Sequence, residues 1–194
     1  MTPLTQAGML VINTLFGLYL LVVILRFLLQ LVRADFYNPI SQFIVKATNP
    51  PLIPLRKMIP GWGGIDIASL VLALLVQAIA IVLILLLNGI QPPLQVALWA
   101  AIGVLSLILK VYFWGLLITV IASWIAPNSY NPALILINQI LEPAMKPIRK
   151  MMPDMGGLDI SPIIMFLGIQ VLEILVVQGL VQASGMPARL VLGV

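Results

Sequence analysis

One segment of the chain occurs twice, and the two copies stand 93 residues apart. Tyr37 in the first copy corresponds to Tyr130 in the second, and the alignment that follows needs no gap. Each copy lies between two long apolar runs. A repeat that carries its membrane spans with it predicts two structural halves, residues 1–93 and 94–194. The corresponding residues are Asn38-Pro39, Arg56-Lys57, Gly63-Gly64, Asp66 and Gln77 in the first copy, and Asn131-Pro132, Arg149-Lys150, Gly156-Gly157, Asp159 and Gln170 in the second.

The composition is typical of a membrane protein. Of the 194 residues, 62% are hydrophobic and 8% are charged, and the mean hydropathy is +1.16. A soluble domain of this size could not bury so much apolar surface, because small globules expose a large share of their residues. The chain has no cysteine and no histidine, which excludes disulfides, thiolate nucleophiles and imidazole metal ligands.

Four apolar runs are long enough to cross a bilayer. About 20 apolar residues span roughly 30 Å of hydrocarbon, and the runs cover residues 9–31, 67–90, 99–125 and 160–181. The first run lacks the basic segment and cleavage site of a removable signal peptide, so we expect it to remain as a helix. The predicted fold is an all-α membrane protein with four transmembrane helices, built from two repeats of parallel topology.

The basic residues predict the orientation of these spans. Two spans separate the repeated loops, so both loops lie on the same side of the membrane. By the positive-inside rule, we expect both loops in the cytoplasm and both termini outside it. The halves should then be related by an axis along the membrane normal. The loops carry Arg33, Lys46, Arg56, Lys57, Lys146, Arg149 and Lys150, whereas the opposite side carries only Arg189.

Each loop is expected to begin with a short amphipathic helix. Asn38-Pro39 and Asn131-Pro132 are typical helix starts, because asparagine caps a helix and proline suits its first turn. In the first copy Ile40, Phe43 and Ile44 recur at helical spacing. We expect these helices to lie in the headgroup region or to re-enter the bilayer. Prolines should then break the loops into stiff pieces. These prolines are Pro50, Pro51, Pro54 and Pro60 in the first copy and Pro143, Pro147 and Pro153 in the second.

The basic residues of the loops have two interpretations. They could bind anionic lipid headgroups or a protein partner, since each cation near an anionic leaflet contributes about 1 kcal/mol of attraction. They could instead act only as topological anchors. Nucleic-acid binding is not indicated by the net charge of +4, because the basic residues lie mainly in two short loops beside apolar spans, where attraction to anionic lipid is the simpler cause. The predicted lipid- or partner-binding residues are Arg56, Lys57, Lys146, Arg149 and Lys150.

A glycine pair and an aspartate end each loop. Gly63-Gly64 and Gly156-Gly157 would permit positive φ or a close backbone approach. Asp66 and Asp159 follow two residues later and stand at the start of the second and fourth spans. A carboxylate there can accept the free N–H groups of the first turn, so we predict helix caps. A role in binding a cation or substrate is the alternative.

These residues resemble the YggT family of small integral membrane proteins. The resemblance covers nearly the whole chain, and the most specific parts are residues 37–77 and 130–170. The second copy, which ends in Ser161-Pro162, is the fuller match, because the first has Ala68-Ser69 there. The resemblance implies a location in the bacterial inner membrane and no established reaction. It also implies links to osmotic tolerance and, through plastid relatives, to assembly of cytochrome complexes and to membrane organisation.

Three ionisable residues lie within the predicted spans. None is repeated: the equivalents of Arg26, Lys110 and Glu173 are uncharged. Lys110 and Glu173 both lie roughly 21–24 Å from the loop ends of their helices, so they could pair. Arg26 is nearer the loop side, where Gln170 or a loop carboxylate would suit it better. We expect Gln77 and Gln170 to form interhelical hydrogen bonds. A structural pair, a transport path and a recognition site within the bilayer all remain open for Lys110 and Glu173.

Two functions fit this pattern. The first is a non-enzymatic scaffold or assembly factor of the cell envelope, linked by the resemblance to osmotic stress. Its partners would be anionic lipids and a membrane protein or further copies of the chain. The second is a small oligomeric ion channel or transporter that uses Lys110 and Glu173. An enzyme is disfavoured because the chain has no histidine or cysteine, no GxSxG motif and no Walker loop. We therefore predict no catalytic, cofactor-binding or metal-binding residues.

Overall fold

The computed structural model describes residues 2–125, 129–152, 159–187 and 190, and these residues form an all-α protein. Within them, four helices are long and apolar enough to cross a membrane, which confirms the predicted all-α fold with four candidate spans. The fourth span, Ser161–Ser184, is interrupted by a π-helical segment. In chain order the helices are α1 (Pro3–Leu31), α2 (Pro39–Met58), α3 (Ile67–Leu87), α4 (Val96–Ile125), α5 (Pro132–Met151), α6 (Ser161–Leu172), the π-helical segment (Glu173–Gln178) and α7 (Gly179–Ser184).

Four helices, α1, α2, α3 and α5, begin where a side chain bonds to a free N–H group. Thr2 caps α1 by accepting from the N–H of Thr5 at 3.3 Å, so the first span starts ahead of its apolar run. Asn38 and Asn131 cap α2 and α5, each accepting from a first-turn N–H at 2.9 Å. α2 and α5 are both 20 residues long and begin 93 residues apart, so the repeat in the sequence recurs in the helix boundaries.

α3 lies between α1 and α4 at the centre of the bundle. Ala73, Gln77 and Ala80 form a fully buried stripe on it. Gly103 of α4 is opposite, and a Cβ added there would lie 2.3 Å from Nε2 of Gln77. Small residues at such contacts allow helices to approach closely in lipid. The fourth span packs against α4 and leaves a wide apolar face exposed, including Leu167, as expected for a helix that faces lipid.

α2 and α5 continue through their prolines, so the expectation that prolines break the loops into pieces is wrong. Pro50 and Pro54 lie inside α2, and Pro143 and Pro147 lie inside α5. Each proline removes one backbone hydrogen bond. These four prolines are exposed and recur at a spacing of one helical turn, whereas Pro51, also inside α2, is half-buried. Where an exposed proline leaves a carbonyl group without its helical partner, water or a headgroup can bond to that group.

Both helices are amphipathic, but their buried faces differ from the expected pattern. α2 buries Ile44 as expected, whereas Phe43 is 63% exposed. The buried residues are Ser41, Ile44, Thr48 and Leu52 in α2 and Leu136, Ile140, Leu141 and Met145 in α5.

A tight turn connects α2 to α3. Trp62 and Ile65 exchange backbone hydrogen bonds of 3.2 and 3.0 Å across the turn, which places Gly63 and Gly64 at its centre. Both glycines have positive φ, 60° and 84°, as in the hairpin turns that favour glycine at both central positions. The turn reverses the chain and brings the end of α2 to the start of α3. Pro153, Gly156-Gly157 and Arg189 lie outside the described residues.

Candidate functional site

The first loop–span junction joins Arg56, at the end of α2, to Asp66, at the start of α3. Nη2 of Arg56 donates to Oδ2 of Asp66 at 2.5 Å and to Oε1 of Gln30 at 2.9 Å. Ser69 donates its backbone N–H to Oδ1 of Asp66 at 3.4 Å and its hydroxyl to Oδ2. The Asp66 side chain is 3% exposed and the Arg56 side chain 35%. Asp66 is thus both the N-cap of α3 and the residue that holds α2 against it.

The second junction joins the repeat equivalents, Arg149 and Asp159. Nε of Arg149 donates to Oδ2 of Asp159 at 3.2 Å, and its Nη1 donates to Oε2 of Glu142 at 3.0 Å. Asp159 accepts from the N–H of Ser161 at 2.9 Å, although Ile160 is the N-cap residue of α6. Arg149 and Asp159 are 47% and 49% exposed. The same pair therefore closes both junctions, buried in one half and exposed in the other.

Both aspartates are held in the ionised form. Burial alone would raise the pKa of Asp66, but hydrogen bonds from Arg56 and Ser69, together with the charge of Arg56, outweigh it and lower that pKa below its ordinary value. The pKa of Asp159 is also lowered, first by hydrogen bonding to Ser161 and then by Arg149. The ion pairs are thus fully charged at neutral pH.

The five basic residues for which the sequence predicts lipid or partner binding fall into two groups, the arginines that form the junctions and the lysines that do not. Arg56 and Arg149 are engaged by aspartates. Lys57, Lys146 and Lys150 are exposed, and no ion pair within the described part of the chain involves them. These two arginines therefore stabilise the loop structure, and these three lysines are exposed cations on the loop surface.

The loops of the two halves touch each other. Nδ2 of Asn38 donates to the carbonyl of Pro132 at 2.9 Å, and the N–H of Asp35 donates to Oε1 of Gln139 at 3.1 Å. The start of α2 is thereby joined to α5. The loop side of the molecule is consequently one connected surface.

Arg26 lies beside the first junction and lines a cavity of about 460 Å³ with Gln30, Arg33, Phe36 and Gly64. It is 7% exposed, and its guanidinium lies 5.3 Å from the centre of the Phe36 ring. Its Nε and Nη1 are buried and have no hydrogen-bond partner among the described residues. No hydrogen bond or ion pair of these residues joins Arg26 to either partner expected from the sequence, Gln170 or a loop carboxylate. Gln170 lies in a different cavity, and the loop carboxylate of Asp66 is bonded to Arg56.

Lys110, Gln170 and Glu173 line a second cavity, of about 210 Å³, within the spans. The hydroxyl of Ser106 donates to Oε1 of Glu173 at 3.1 Å, and Oε2 of Glu173 is buried without a hydrogen-bond partner among the described residues. The π-helical segment begins at Glu173. Such segments recur at functional sites, because the extra residue changes the direction of the side chains.

The two repeated glutamines differ in their surroundings. Gln77 is fully buried against Gly103, and its Nε2 donates to the carbonyl of Leu190 at 3.4 Å. Gln170 is exposed at the second cavity. The hydrogen bond of Gln77 therefore goes to Leu190, which follows α7, and not to another span.

Several residues that bond to the junctions were not indicated by any pattern in the sequence. Gln30, Ser69 and Glu142 each bind a member of an Arg-Asp pair. One signal was available, because Arg56 and Asp66 have the same separation along the chain as Arg149 and Asp159. The additional partners are not repeated, so the repeat could not indicate them. Within the described part of the chain, no three histidine, cysteine or acidic side chains come together to hold a metal.

Comparison with known proteins gives consistent matches over both halves. The family model described as CCB3/YggT matches residues 5–87 and 98–180, which include both junctions. An uncharacterised protein of Pseudomonas aeruginosa is 54% identical over 98% of each chain. A protein of Vibrio alginolyticus is 44% identical over 82% of this chain and 87% of its own, and Escherichia coli YggT is 37% identical over 90% of each. No solved structure matches. The chain belongs to the CCB3/YggT family of proteins.

Proposed function

We propose that this protein is a non-enzymatic scaffold of the membrane, which holds anionic lipid headgroups and a membrane-protein partner on its loop side. The observation that carries the proposal is the pair of matched amphipathic helices, α2 and α5. Their buried faces pack onto the spans, and their outer faces combine lysines with exposed apolar side chains.

The outer faces have the composition of a surface that binds the interface of a bilayer. Phe43 and Met58 on α2 are 63% and 80% exposed, and Met151 at the end of α5 is 84% exposed. Lys57 and Lys150 are their exposed neighbours. Apolar side chains can enter the acyl boundary while the cations contact phosphates. The same combination can bind the juxtamembrane surface of another protein.

The helices are also rigidly held, as a scaffold requires. The Arg-Asp pairs fix the end of each helix to the following span, and the hydrogen bonds of Asn38 and Asp35 join the two halves. A surface with a fixed shape loses less conformational entropy when it binds a partner.

Replacement of four exposed lysines by glutamine tests the proposal. The variant combines K46Q, K57Q, K146Q and K150Q and leaves both Arg-Asp pairs in place. We expect it to co-purify with less phosphatidylglycerol relative to phosphatidylcholine than the wild type. A photoreactive residue at Met58 or Met151 should crosslink a partner in native membranes, whereas one at Leu94, on the opposite side, should not. Unchanged lipid ratios together with equal crosslinking from Leu94 would refute the proposal.

We further propose that the loop side faces the cytoplasm and that both termini face the periplasm of the bacterial inner membrane. The chain has no cysteine, so single cysteines can report the topology. K57C and K150C should be labelled only after the membrane is opened, and Q91C should be labelled in intact spheroplasts by the same impermeant reagent. Labelling of K57C and K150C from opposite sides would exclude two halves of like orientation.

A role in the envelope under osmotic stress follows from the same scaffold. We expect a strain that lacks the protein to grow poorly after a rise in salt, and the wild-type gene to restore growth. The variant with four lysine replacements should fail to restore it although it accumulates in the membrane. Full restoration of growth by that variant would show that osmotic tolerance does not depend on the lysines of the loop surface.

A small channel or transporter is the second candidate, favoured by the cavity that holds Lys110, Gln170 and Glu173 next to the π-helical segment. Charged groups at this depth are costly and commonly mark ion or proton pathways. In proteoliposomes, K110A and E173A should abolish ion flux while K57Q retains it. A wild-type protein that moves no ions under an imposed gradient would remove this candidate.

A further inference from the structure

The cavity at Arg26 is built from cations that lack anionic partners. Arg26 is 93% buried, and two of its guanidinium nitrogens have no hydrogen-bond partner in the part of the chain that the structure describes. Arg33 lines the same cavity, and no ion pair of the described residues includes either arginine. A buried guanidinium without a counter-charge is costly, particularly in a membrane span. The carboxylate of Asp66 acts on Arg26 electrostatically but is bonded to Arg56, so among the described residues the cations at this cavity outnumber the anions.

Arg33 occupies a backbone position that normally belongs to glycine. Its N–H bonds to the carbonyl of Gln30 at 3.2 Å, and that of Ala34 bonds to the carbonyl of Leu29 at 2.8 Å. This is the Schellman pattern, whose residue with positive φ is usually glycine. The same pattern ends α3 at Gly89 and α7 at Gly185, yet Arg33 ends α1 with a φ of 53°. The chain accepts an unfavourable backbone conformation here and retains a cation at the cavity.

We infer that this cavity binds a phosphate group, supplied by an anionic lipid headgroup at the edge of the bilayer. Two guanidinium groups and the amide of Gln30 are the donors that a phosphate requires, and guanidinium groups match its geometry. The volume of about 460 Å³ is large enough for a headgroup. The inference rests on the proposed scaffold function and names the ligand of one site within it.

The position of the cavity favours a lipid over a soluble ligand. Arg26 lies five residues before Leu31, the last residue of α1, which is about 7–8 Å along the axis. A long arginine side chain at this depth reaches the headgroup level. In the second half, Thr119 replaces Arg26 and Ser123 replaces Gln30, so we expect one such site per chain.

Arg33→Gly is the informative variant, because a structural role and a binding role predict opposite results. Glycine relieves the positive φ, so the variant should resist denaturation at least as well as the wild type. It should also bind dioleoylphosphatidylglycerol more weakly in dodecylmaltoside micelles, measured by native mass spectrometry. Arg26→Gln should lower that affinity by at least about tenfold, and Arg26→Lys should retain part of it. Thr119→Gln, at the equivalent position of the second half, is the matched control and should leave the site unchanged.

A second arm identifies the source of the phosphate. Detergent-purified protein is dialysed against radiolabelled orthophosphate, and orthophosphate is added to the lipid titration as a competitor. We expect no saturable binding of orthophosphate and no competition at millimolar concentrations. Orthophosphate binding that is lost in Arg26→Gln would assign the site to soluble phosphate and overturn the lipid assignment.

The result is separable from the test of the scaffold. Undiminished phosphatidylglycerol binding in both Arg26→Gln and Arg33→Gly would overturn the site, even if the four-lysine variant loses lipid. If Arg26→Gln does not fold, Arg33→Gly decides the question by itself, because its stability is expected to be retained.

Discussion

The two loop–span junctions contain the same Arg-Asp pair in different surroundings. Asp66 is buried with a side-chain exposure of 3%, whereas Asp159 is 49% exposed. Arg56 has a neutral additional partner, Gln30, and Arg149 has a charged one, Glu142. The repeated Arg-Asp pair thus connects an amphipathic helix to a span in both halves. Its contribution to the free energy of unfolding differs between them. Repetition of residues shows which contact was kept and says little about how strongly it stabilises the fold.

Each junction lies beside a cleft, which in the first half is the cavity at Arg26, and the two clefts also differ in their surroundings. The first is lined by Arg26, Gln30 and Phe36, and the second, of about 680 Å³, by their repeat equivalents Thr119, Ser123 and Ser129. The second cleft also contains Arg149, which is paired with Glu142 and Asp159, whereas Arg26 and Arg33 at the first form no ion pair among the described residues. Binding chemistry can therefore be expected where the halves diverge.

The largest expected effect comes from neutralising the two aspartates separately. Asp66→Asn keeps a good N-cap residue but leaves Arg56 half-buried without its counter-charge, which should lower the free energy of unfolding by about 3 kcal/mol. Asp159→Asn leaves Arg149 exposed and bonded to Glu142, so the loss should stay below about 1 kcal/mol. Unfolding by SDS in mixed micelles, followed by circular dichroism, measures both. Equal losses would mean that burial does not distinguish the junctions.

A second comparison concerns glycines in the two halves of the bundle. A Cβ at Gly103 would meet Nε2 of Gln77 at 2.3 Å and its Cδ at 2.8 Å, whereas nothing lies within 4 Å of one at Gly168. Because Gln77 is fully buried and has little room to move, Gly103→Ala should destabilise the protein by about 2 kcal/mol through overpacking. Gly168→Ala should be neutral or stabilise by up to about 1 kcal/mol. A neutral Gly103→Ala would show that the contact between α3 and α4 is loose.

The spans could be predicted because their signal is local. Four runs of apolar residues suffice to identify them, and capping side chains such as Asp66 adjust the ends. The continuous α2 could not be predicted in the same way. Proline disfavours a helix in any sequence-based argument, and its tolerance in α2 depends on exposure of Pro50 and Pro54, which only the folded arrangement defines.

The candidate sites were predictable to the extent that they repeat. The repeat indicates Arg56, Asp66 and their equivalents, but it does not show that each arginine bonds to its aspartate across a glycine turn. The surroundings of Arg26 were not predictable, because Phe36 reaches it only after the chain turns at Arg33. Unrepeated residues carry no internal comparison, and their partners depend on packing between helices.

The pH dependence of the free energy of unfolding should also distinguish the contributions of the two aspartates. The pKa of each is lowered in the folded protein, so each stabilises the fold above its unfolded pKa, and this contribution is lost as the pH falls from about 4 toward the folded pKa. Asp66→Asn should flatten the acid limb of the stability curve more than Asp159→Asn does, because the ion pair of Asp66 with Arg56 is shorter, 2.5 Å against 3.2 Å for Asp159 with Arg149, and less screened by water. The measurement is SDS-driven unfolding between about pH 6 and pH 3. A flatter limb in Asp159→Asn than in Asp66→Asn would contradict the assignment.

The smallest expected effect concerns the additional partners of the arginines. Glu142→Gln gives the second junction a neutral partner like Gln30, and since Glu142 and Arg149 are 56% and 47% exposed, the loss should be below about 0.5 kcal/mol and should vanish in high salt. Gln30→Ala removes a hydrogen bond to a half-buried charge and should cost about 1 kcal/mol, with little dependence on salt. A salt-sensitive loss at Gln30, or a salt-independent loss at Glu142, would show that solvent reaches the two junctions differently from what the exposures imply. If both losses behave as expected, burial accounts for the difference in stability and salt dependence between the two junctions. The arginine, the aspartate and the number of residues between them are the same in both copies.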